Sequence, residues 1–497
     1  MDTLTRDFIA AHQPVTLEVQ TTLPITHGTL PKELRGVLYR NGGGRFSVGG
    51  QHYGHLFDGD GMVQRFAIGS RVGDSEPCIR YSNRFVRTEE FISEERAGRI
   101  LYRGFGTNRP GGIWANLLRL RFKNAANTNV IYYGGKLLAL WEGGLPHLLD
   151  PVTLDTLQRY DFDGALKNPG NAIERLLQPD LPFSAHPKVD PQTGELYNFG
   201  LVAGKQYKVL LYSLRPGGSL QHLAQVPLPE VSFIHDFNLT PNWCVFFVYP
   251  VAFDVPRYLS GLAAPADTLR QVEGAPTQVL LVPRAGGEPR FLTADPCFVF
   301  HFANAFERPD GHIVVDGARM SGYPELRSME RLLRGDLADL PELQLTRFVI
   351  DPEAPAQARV TQQDLGGPRI ELPRVNPQHT GLPYRYAYGV CGSRQDPLQV
   401  IAELGRIDTQ TGESVKCDFT RSLPGEPVMV PRPGATAEDD GWILSVVYRG
   451  EVDRSALYVL DARDLSTVCV AEMPIHAPPG FHGNFVPEAD CPPGWYA

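Results

Sequence analysis

Apolar and β-branched residues in this chain come in short runs, broken by tight polar turns that recur at a near-constant interval. Six units show the pattern strongly: "HLLDPVTLDTLQRYDF", "VLLYSLRPGGSLQHLAQV", "VLLVPRAGGEPRFLT", "TRFVIDPEAPAQARVTQ", "LGRIDTQTGESVKCDF" and "LYVLDARDLSTVCVAEM". Their turns begin near Asp150, Arg215, Arg284, Asp351, Asp408 and Asp461, at intervals of about 53 to 69 residues. A weaker seventh unit, "VQRFAIGSRVGDSEPCIRYSNRF", turns near Gly69. A run into a Gly, Pro or Asp turn and out again is a β-hairpin. A hairpin alone is marginal, and a repeat of roughly 60 residues has room for about four strands. Seven four-stranded sheets set radially make a β-propeller, and the even spacing argues against a two-sheet sandwich. The expected fold is therefore all-β, a seven-bladed β-propeller forming one domain over residues 1–497. About the first 20 residues are an N-terminal extension. Helical pattern is sparse, confined to 93–104, 113–128 and 326–335.

Composition narrows the class without naming it. A net charge of −9 argues against nucleic acid as a partner. The seven cysteines are scattered, with no CxxC pair. The first residues lack a basic region followed by an apolar core, so reduced thiols and a cytoplasmic location are expected. No run approaches 18 apolar residues, so no membrane span is expected. The chain is expected to be a monomer.

The candidate chemistry lies in four histidines: His186 in "PFSAHPKVD", His235 in "VSFIHDFNLT", His301 in "FVFHFANAFE" and His482 in "PPGFHGNF". Three precede the outer hairpins of successive repeat units, and the fourth follows the last hairpin. Inner strands of separate blades face one axis, so one residue per blade can reach a common point. Each histidine alone fits a hydrogen-bonded structural residue. Four in phase with the repeat also fit a metal site, and four neutral imidazoles suit Fe(II) with positions left open for O2 and substrate. Glu142 in "LLALWEGG", Glu371 in "PRIELPRVN" and Glu426 in "LPGEPVMVPRPG" sit in apolar or turn-bound contexts. A buried carboxylate needs a partner. Each glutamate fits either a structural salt bridge or an acceptor for the free ring N–H of a ligating histidine.

These residues occur together with "LYRNGGG" (38–44), "HLFDGDGMV" (55–63), "RFVRTEEF" (84–91), "FKNAANTN" (122–129), "LPYRYAYG" (382–389) and "EDDGWILSVVY" (438–448). In this order the set resembles the carotenoid cleavage oxygenase family, most closely its bacterial, apocarotenoid-cleaving members, from about residue 20 onward. The resemblance implies Fe(II), one per chain, on the propeller axis beneath a dome of loops and short helices. It implies His186, His235, His301 and His482 as ligands. Glu142, Glu371 and Glu426 would back the last three of them. Thr128 would crowd the open metal position with its methyl group, and Phe57, Trp141, Phe233 and Phe300 would line the substrate tunnel. One departure is visible: close relatives often carry two adjacent histidines where this chain has only His301.

The same resemblance implies cleavage of the central 15,15′ double bond of β-apocarotenals by O2, giving retinal and a second aldehyde. A stilbene or a full-length carotenoid is the alternative substrate within the family. Such substrates partition into lipid, so peripheral membrane contact is expected. Segment 111–124 carries Ile113, Trp114, Leu117, Leu118, Leu120 and Phe122 beside Arg119, Arg121 and Lys123, which suits a helix lying at the interface. Segment 249–264 is a second apolar candidate.

Overall fold

Each of the seven turns joins two adjacent antiparallel strands in the computed structural model. The first hairpin pairs Asp60–Gly69 with Cys78–Phe85, and the last pairs Arg454–Asp461 with Thr467–Glu472. The recurring aspartate explains several of the turns. The Asp150 carboxylate accepts the backbone N–H groups of Val152 and Thr153, and Asp408 does the same for Gln410 and Thr411. A side chain that satisfies its own loop in this way fixes where the strand ends. The structure describes residues 3–496 apart from 71–75, 120, 203–205, 230–231, 325–329, 332–333, 335, 337–341 and 393–401.

The strands assemble into a seven-bladed propeller. In the fifth blade the order from the axis outward is Phe298–Glu307, Ile313–Met320, Leu343–Ile350 and Thr361–Asp364. Each of the seven blade–blade interfaces encloses its own apolar cluster, such as Val245, Phe247 and Leu281 of the fourth blade against Phe298, Val315 and Phe348 of the fifth. Middle strands are therefore covered on both faces, as in Gly441–Arg449, where only the final residue is half-buried. Outermost strands face water and alternate, as in Ser414–Asp418.

Both ends of the chain close the ring. Gly483–Pro487, near the C-terminus, is the innermost strand of the first blade and pairs with Gly36–Arg40. Ile25–Gly28, near the N-terminus, is the outermost strand of the last blade and pairs with Thr467–Glu472. Upstream, helix Thr3–Ala11 packs on Leu423 and Tyr448 and pairs Asp7 with Arg421 at 2.9 Å.

The helices differ from the sequence expectation, for local reasons. Instead of 93–104, a helix spans Glu89–Ala97. Thr88 caps its start by accepting the Phe91 N–H, and Gly98 ends it at φ 60°, a conformation that favours glycine. Instead of 113–128, the helix covers only Gly112–Asn116, and the chain turns sharply at Leu118, whose φ is 56°. The third expected helix, 326–335, lies largely outside the described residues. Short helices and loops from 86–119, 121–128 and 253–271 form a dome over one end of the axis.

Candidate metal centre

The propeller brings the four sequence-predicted histidines to one point. All four can offer one nitrogen within 4.8 Å of every other, so the group could hold a metal ion. His186 lies two residues before the inner strand of the third blade. His235 lies in the inner strand region of the fourth, His301 within the inner strand of the fifth, and His482 immediately before the inner strand of the first. The remaining three blades present Thr128, Glu371 and Glu426 at their inner edges. Every blade thus contributes one of the residues singled out from the sequence.

Polar side chains fasten neighbouring blades around this centre. The Asn484 amide donates to Val130 O, Asn129 to Ala185 O, and Asn304 to His379 O and Leu382 O. Arg374 reaches both Glu426 and Asn484, linking the sixth blade to the seventh and the first.

The geometry fits a bound cation better than a hydrogen-bonded histidine cluster. His186 Nε2 is 3.0 Å from His235 Nε2, which is 3.2 Å from His301 Nε2. Metal–nitrogen bonds of about 2.1 Å at right angles would put neighbouring nitrogens about 3.0 Å apart. His301 Nδ1 donates to Glu371 at 2.6 Å, and His482 Nδ1 donates to Glu426 at 2.8 Å. Those bonds fix the tautomer in which Nε2 carries no proton and its lone pair faces the shared centre.

Electrostatics keep most of the donors neutral. Burial holds His186 and His235 well below the usual histidine range, reinforced by the neighbouring imidazoles. Burial also lowers His482, although Glu426 opposes it. For His301, burial is outweighed by the combined pull of Glu371, Asp236 and Glu426, and its pKa rises.

The three glutamates are not equivalent. Burial alone would raise Glu426, yet Arg374, His482 and Arg40 together push it down to about 2. It also accepts the Gly483 N–H at 2.9 Å. Glu371 accepts from His301 and from the Leu372 N–H. Glu142 stands 3.4 Å from His235 Nδ1 and 3.5 Å from His186 Nε2, with a hydrogen bond to neither. Its Oε1 is buried without a partner, and burial beside Asp236 raises its pKa well above the carboxylate range. Ranking follows from these contacts. Glu371→Gln and Glu426→Gln are expected to lose about 10–100-fold in metal affinity, and Glu142→Gln less. Metal titration of the three variants measures the order; wild-type affinity in both of the first two would contradict it.

A cavity of about 440 Å³ ends on His235, His301 and His482. Phe57, Thr128, Trp141, Phe233 and Phe300, all anticipated from the sequence, line it. Phe233 stacks on His235, and Phe300 meets the same imidazole edge-on at 5.4 Å between ring centres. Phe105, Phe122, Pro265, Met320, Leu372 and Phe481 also line the cavity and were not anticipated there. Phe481 and Phe122 adjoin motif residues, so position alone could have suggested them. Phe105 and Pro265 lie in dome loops without periodicity and gave no signal.

A propeller with four imidazoles gathered on its axis beneath an aromatic cavity is the architecture of a metal-centred enzyme. The Retinal pigment epithelial membrane protein (RPE65) family model matches residues 12–487. The chain belongs to this family, the carotenoid oxygenases, and is an oxygenase. It is 35% identical to the apocarotenoid-15,15′-oxygenase of Synechocystis over 97% of this chain and 96% of that protein. It is 31% identical to resveratrol cleavage oxygenase 1 of Aspergillus fumigatus over 93% of this chain and 92% of that protein. Cobalt-substituted Synechocystis ACO superposes with a TM-score of 0.87 at 33% identity, covering 97% of this chain and 99% of the other.

Proposed function

We propose that this oxygenase uses Fe(II), held by His186, His235, His301 and His482, to split the 15,15′ double bond of a β-apocarotenal into retinal and a second aldehyde. The observation that carries the reading is an almost wholly apolar, aromatic cavity whose inner end is a cluster of imidazoles. The reaction balances without a protein acid or base: one C=C bond and one O2 become two C=O groups, with no net proton or electron. Bound at this centre, Fe(II) supplies the means to activate O2, four neutral ligands leaving coordination positions open.

The chain's own residues do the rest. Glu371 and Glu426 hold the His301 and His482 rings in place by accepting their Nδ1 protons. Trp141, Phe233 and Phe300 offer flat faces that align a rigid polyene and exclude water. The Thr128 hydroxyl donates to Asn127 Oδ1 at 3.1 Å, leaving its methyl group to narrow the space at the centre.

The cavity wall favours a polyene over a stilbene. A phenol needs a free polar partner, and the buried carboxylate atoms without one among the described lining residues, Glu142 Oε1 and Glu371 Oε1, lie at the imidazole end of the cavity. The Asn127 amide donates to Phe57 O and Gly59 O. Lys123, next to the lining residue Phe122, is taken up with Tyr53 in a buried ion network with Asp60 and Glu94. The test is to incubate iron-loaded protein in detergent with apocarotenals of several lengths, a full-length carotenoid and a stilbene, and to identify products by mass spectrometry. Retinal from apocarotenals is expected; stilbene aldehydes as the main product would overturn the reading.

Among the described residues no helix is long and apolar enough to cross a membrane. The sequence-predicted docking segments instead meet at the surface. Leu118 N–H donates to Leu259 O at 3.0 Å, so the loop carrying Trp114 and Leu118 abuts the one carrying Val255 and Leu262. Trp114 is 87% exposed, Leu118 67% and Leu262 61%. The expectation needs correcting in part. No long interfacial helix forms, Phe122 and Lys123 turn inward, Arg121 pairs with Glu89 and Glu90, and Leu120 lies outside the described residues. Arg119 and Arg257 are exposed bases at the patch.

We assign this patch to reversible docking on a lipid surface, beside the dome that covers the cavity. A Trp114→Glu, Leu118→Glu double variant is expected to lose most liposome co-sedimentation while turning over detergent-solubilised substrate normally. Undiminished sedimentation would show that the patch is not the docking surface.

A further inference from the structure

Three of the four histidines face a glutamate, but His186 has none of its own. The nearest carboxylate behind it is Asp236, whose Oδ1 lies 4.0 Å from His186 Nδ1. Asp236 is buried and directly follows His235 in the chain. Its contacts reach the neighbours of two more histidines. Oδ1 accepts from Lys188 Nζ at 2.7 Å and from the Phe237 N–H at 2.8 Å, while Oδ2 accepts the Phe302 N–H at 3.1 Å. Lys188 lies two residues after His186 and opens the inner strand of the third blade. Phe302 directly follows His301, where the inner strand of the fifth blade shifts register against its neighbour. Such an irregularity re-aims a side chain and needs something to hold it.

Resting on the reading that the four imidazoles bind a metal, we infer that Asp236 is a positioning residue for three of them at once. It fastens the segments carrying His186, His235 and His301 to one carboxylate and so sets the two short Nε2–Nε2 separations. Its negative charge behind His186 favours the tautomer with the proton on Nδ1, which leaves the Nε2 lone pair facing the centre. Asp236 with Lys188 thereby does for His186, through charge and chain anchoring, what Glu371 and Glu426 do for their histidines by direct hydrogen bonds. Its position in the third-to-fifth blade contacts also makes it a stitch between blades, so stability alone cannot distinguish the two roles.

The test uses full-length protein loaded with cobalt(II), read by its visible absorption spectrum and by the rate at which a chelator removes the metal. Asp236→Asn keeps the shape but removes the charge. It is expected to change the spectrum and to speed cobalt loss by about 10–100-fold, the range of outer-partner losses. Tyr388→Phe serves as the control, because it removes a hydrogen bond from the sixth blade to Ala462 O of the seventh, and neither of those blades carries one of the four histidines. It is expected to lower Tm while leaving spectrum and release rate at wild-type values. Lys188→Met is read alongside, so that a failure of Asp236→Asn to fold leaves an answer. It keeps Asp236 and is expected to shift both readouts in the same direction, by less. Wild-type spectra and release rates in the folded variants would overturn the positioning role whatever their Tm. Wild-type protein that binds no cobalt would overturn the metal-site reading itself, and this inference with it.

Discussion

Replacing His301 or His235 by alanine is expected to strip most of the metal and nearly all turnover while leaving the propeller folded. Neither imidazole belongs to the apolar clusters between blades, and the strand carrying His301 is held by its backbone ladder to Ile313–Met320. For His301 the structural cost is that of removing one of the two donors to Glu371, about 1–3 kcal/mol. The functional cost is a missing ligand. It is expected to exceed the roughly 10–100-fold typical of losing an outer partner. Metal per chain by elemental analysis, turnover, and far-ultraviolet circular dichroism separate the two costs. Full metal and full turnover in either variant would remove that histidine from the site.

Lys123→Met is expected to destabilise the protein by about 3–5 kcal/mol, the usual result of removing one partner from a buried ion network. Lys123 Nζ lies 2.6 Å from Asp60 and 3.0 Å from Glu94, and it contacts the Tyr53 hydroxyl. Arg45 adds a second cation at 2.7 Å from Asp60. Two carboxylates are thus balanced by two bases, almost entirely out of water. Without Lys123 one buried negative charge has no counterpart. The network joins the first blade to the helix Glu89–Ala97 and to the segment carrying Phe122, so its loss should loosen the cavity wall as well. A fall in Tm, partly recovered in the Lys123→Met, Glu94→Gln double variant, is the expected result. An unchanged Tm in the single variant would contradict the account.

The parts of this molecule that announce themselves in sequence are those with local causes. Outer hairpins were legible because Asp150 and Asp408 shape their own turns. The histidines were legible because each sits in a distinct apolar motif in phase with the repeat. Ring closure was not, because Gly483–Pro487 finds its partner strand more than 400 residues away. Helix boundaries were misplaced where one residue decides them, as at Gly98 and Leu118. Lys123 read as a surface base among apolar neighbours; only Asp60 and Glu94, distant in sequence, bury it. Nothing local in "HDFN" marks Asp236, since its three donors come from three blades. Glu142 stood out by its apolar context, but nothing local could show that it falls short of a hydrogen bond to His235.

X-ray absorption at the iron edge of iron-loaded protein tests the central claim most directly. Imidazole rings give a characteristic multiple-scattering pattern beyond the first shell. The account predicts four imidazoles per iron, falling to three when metal is forced into His301→Ala at high concentration. A first shell built from carboxylates or thiolates, or fewer than four imidazoles in the wild type, would contradict it.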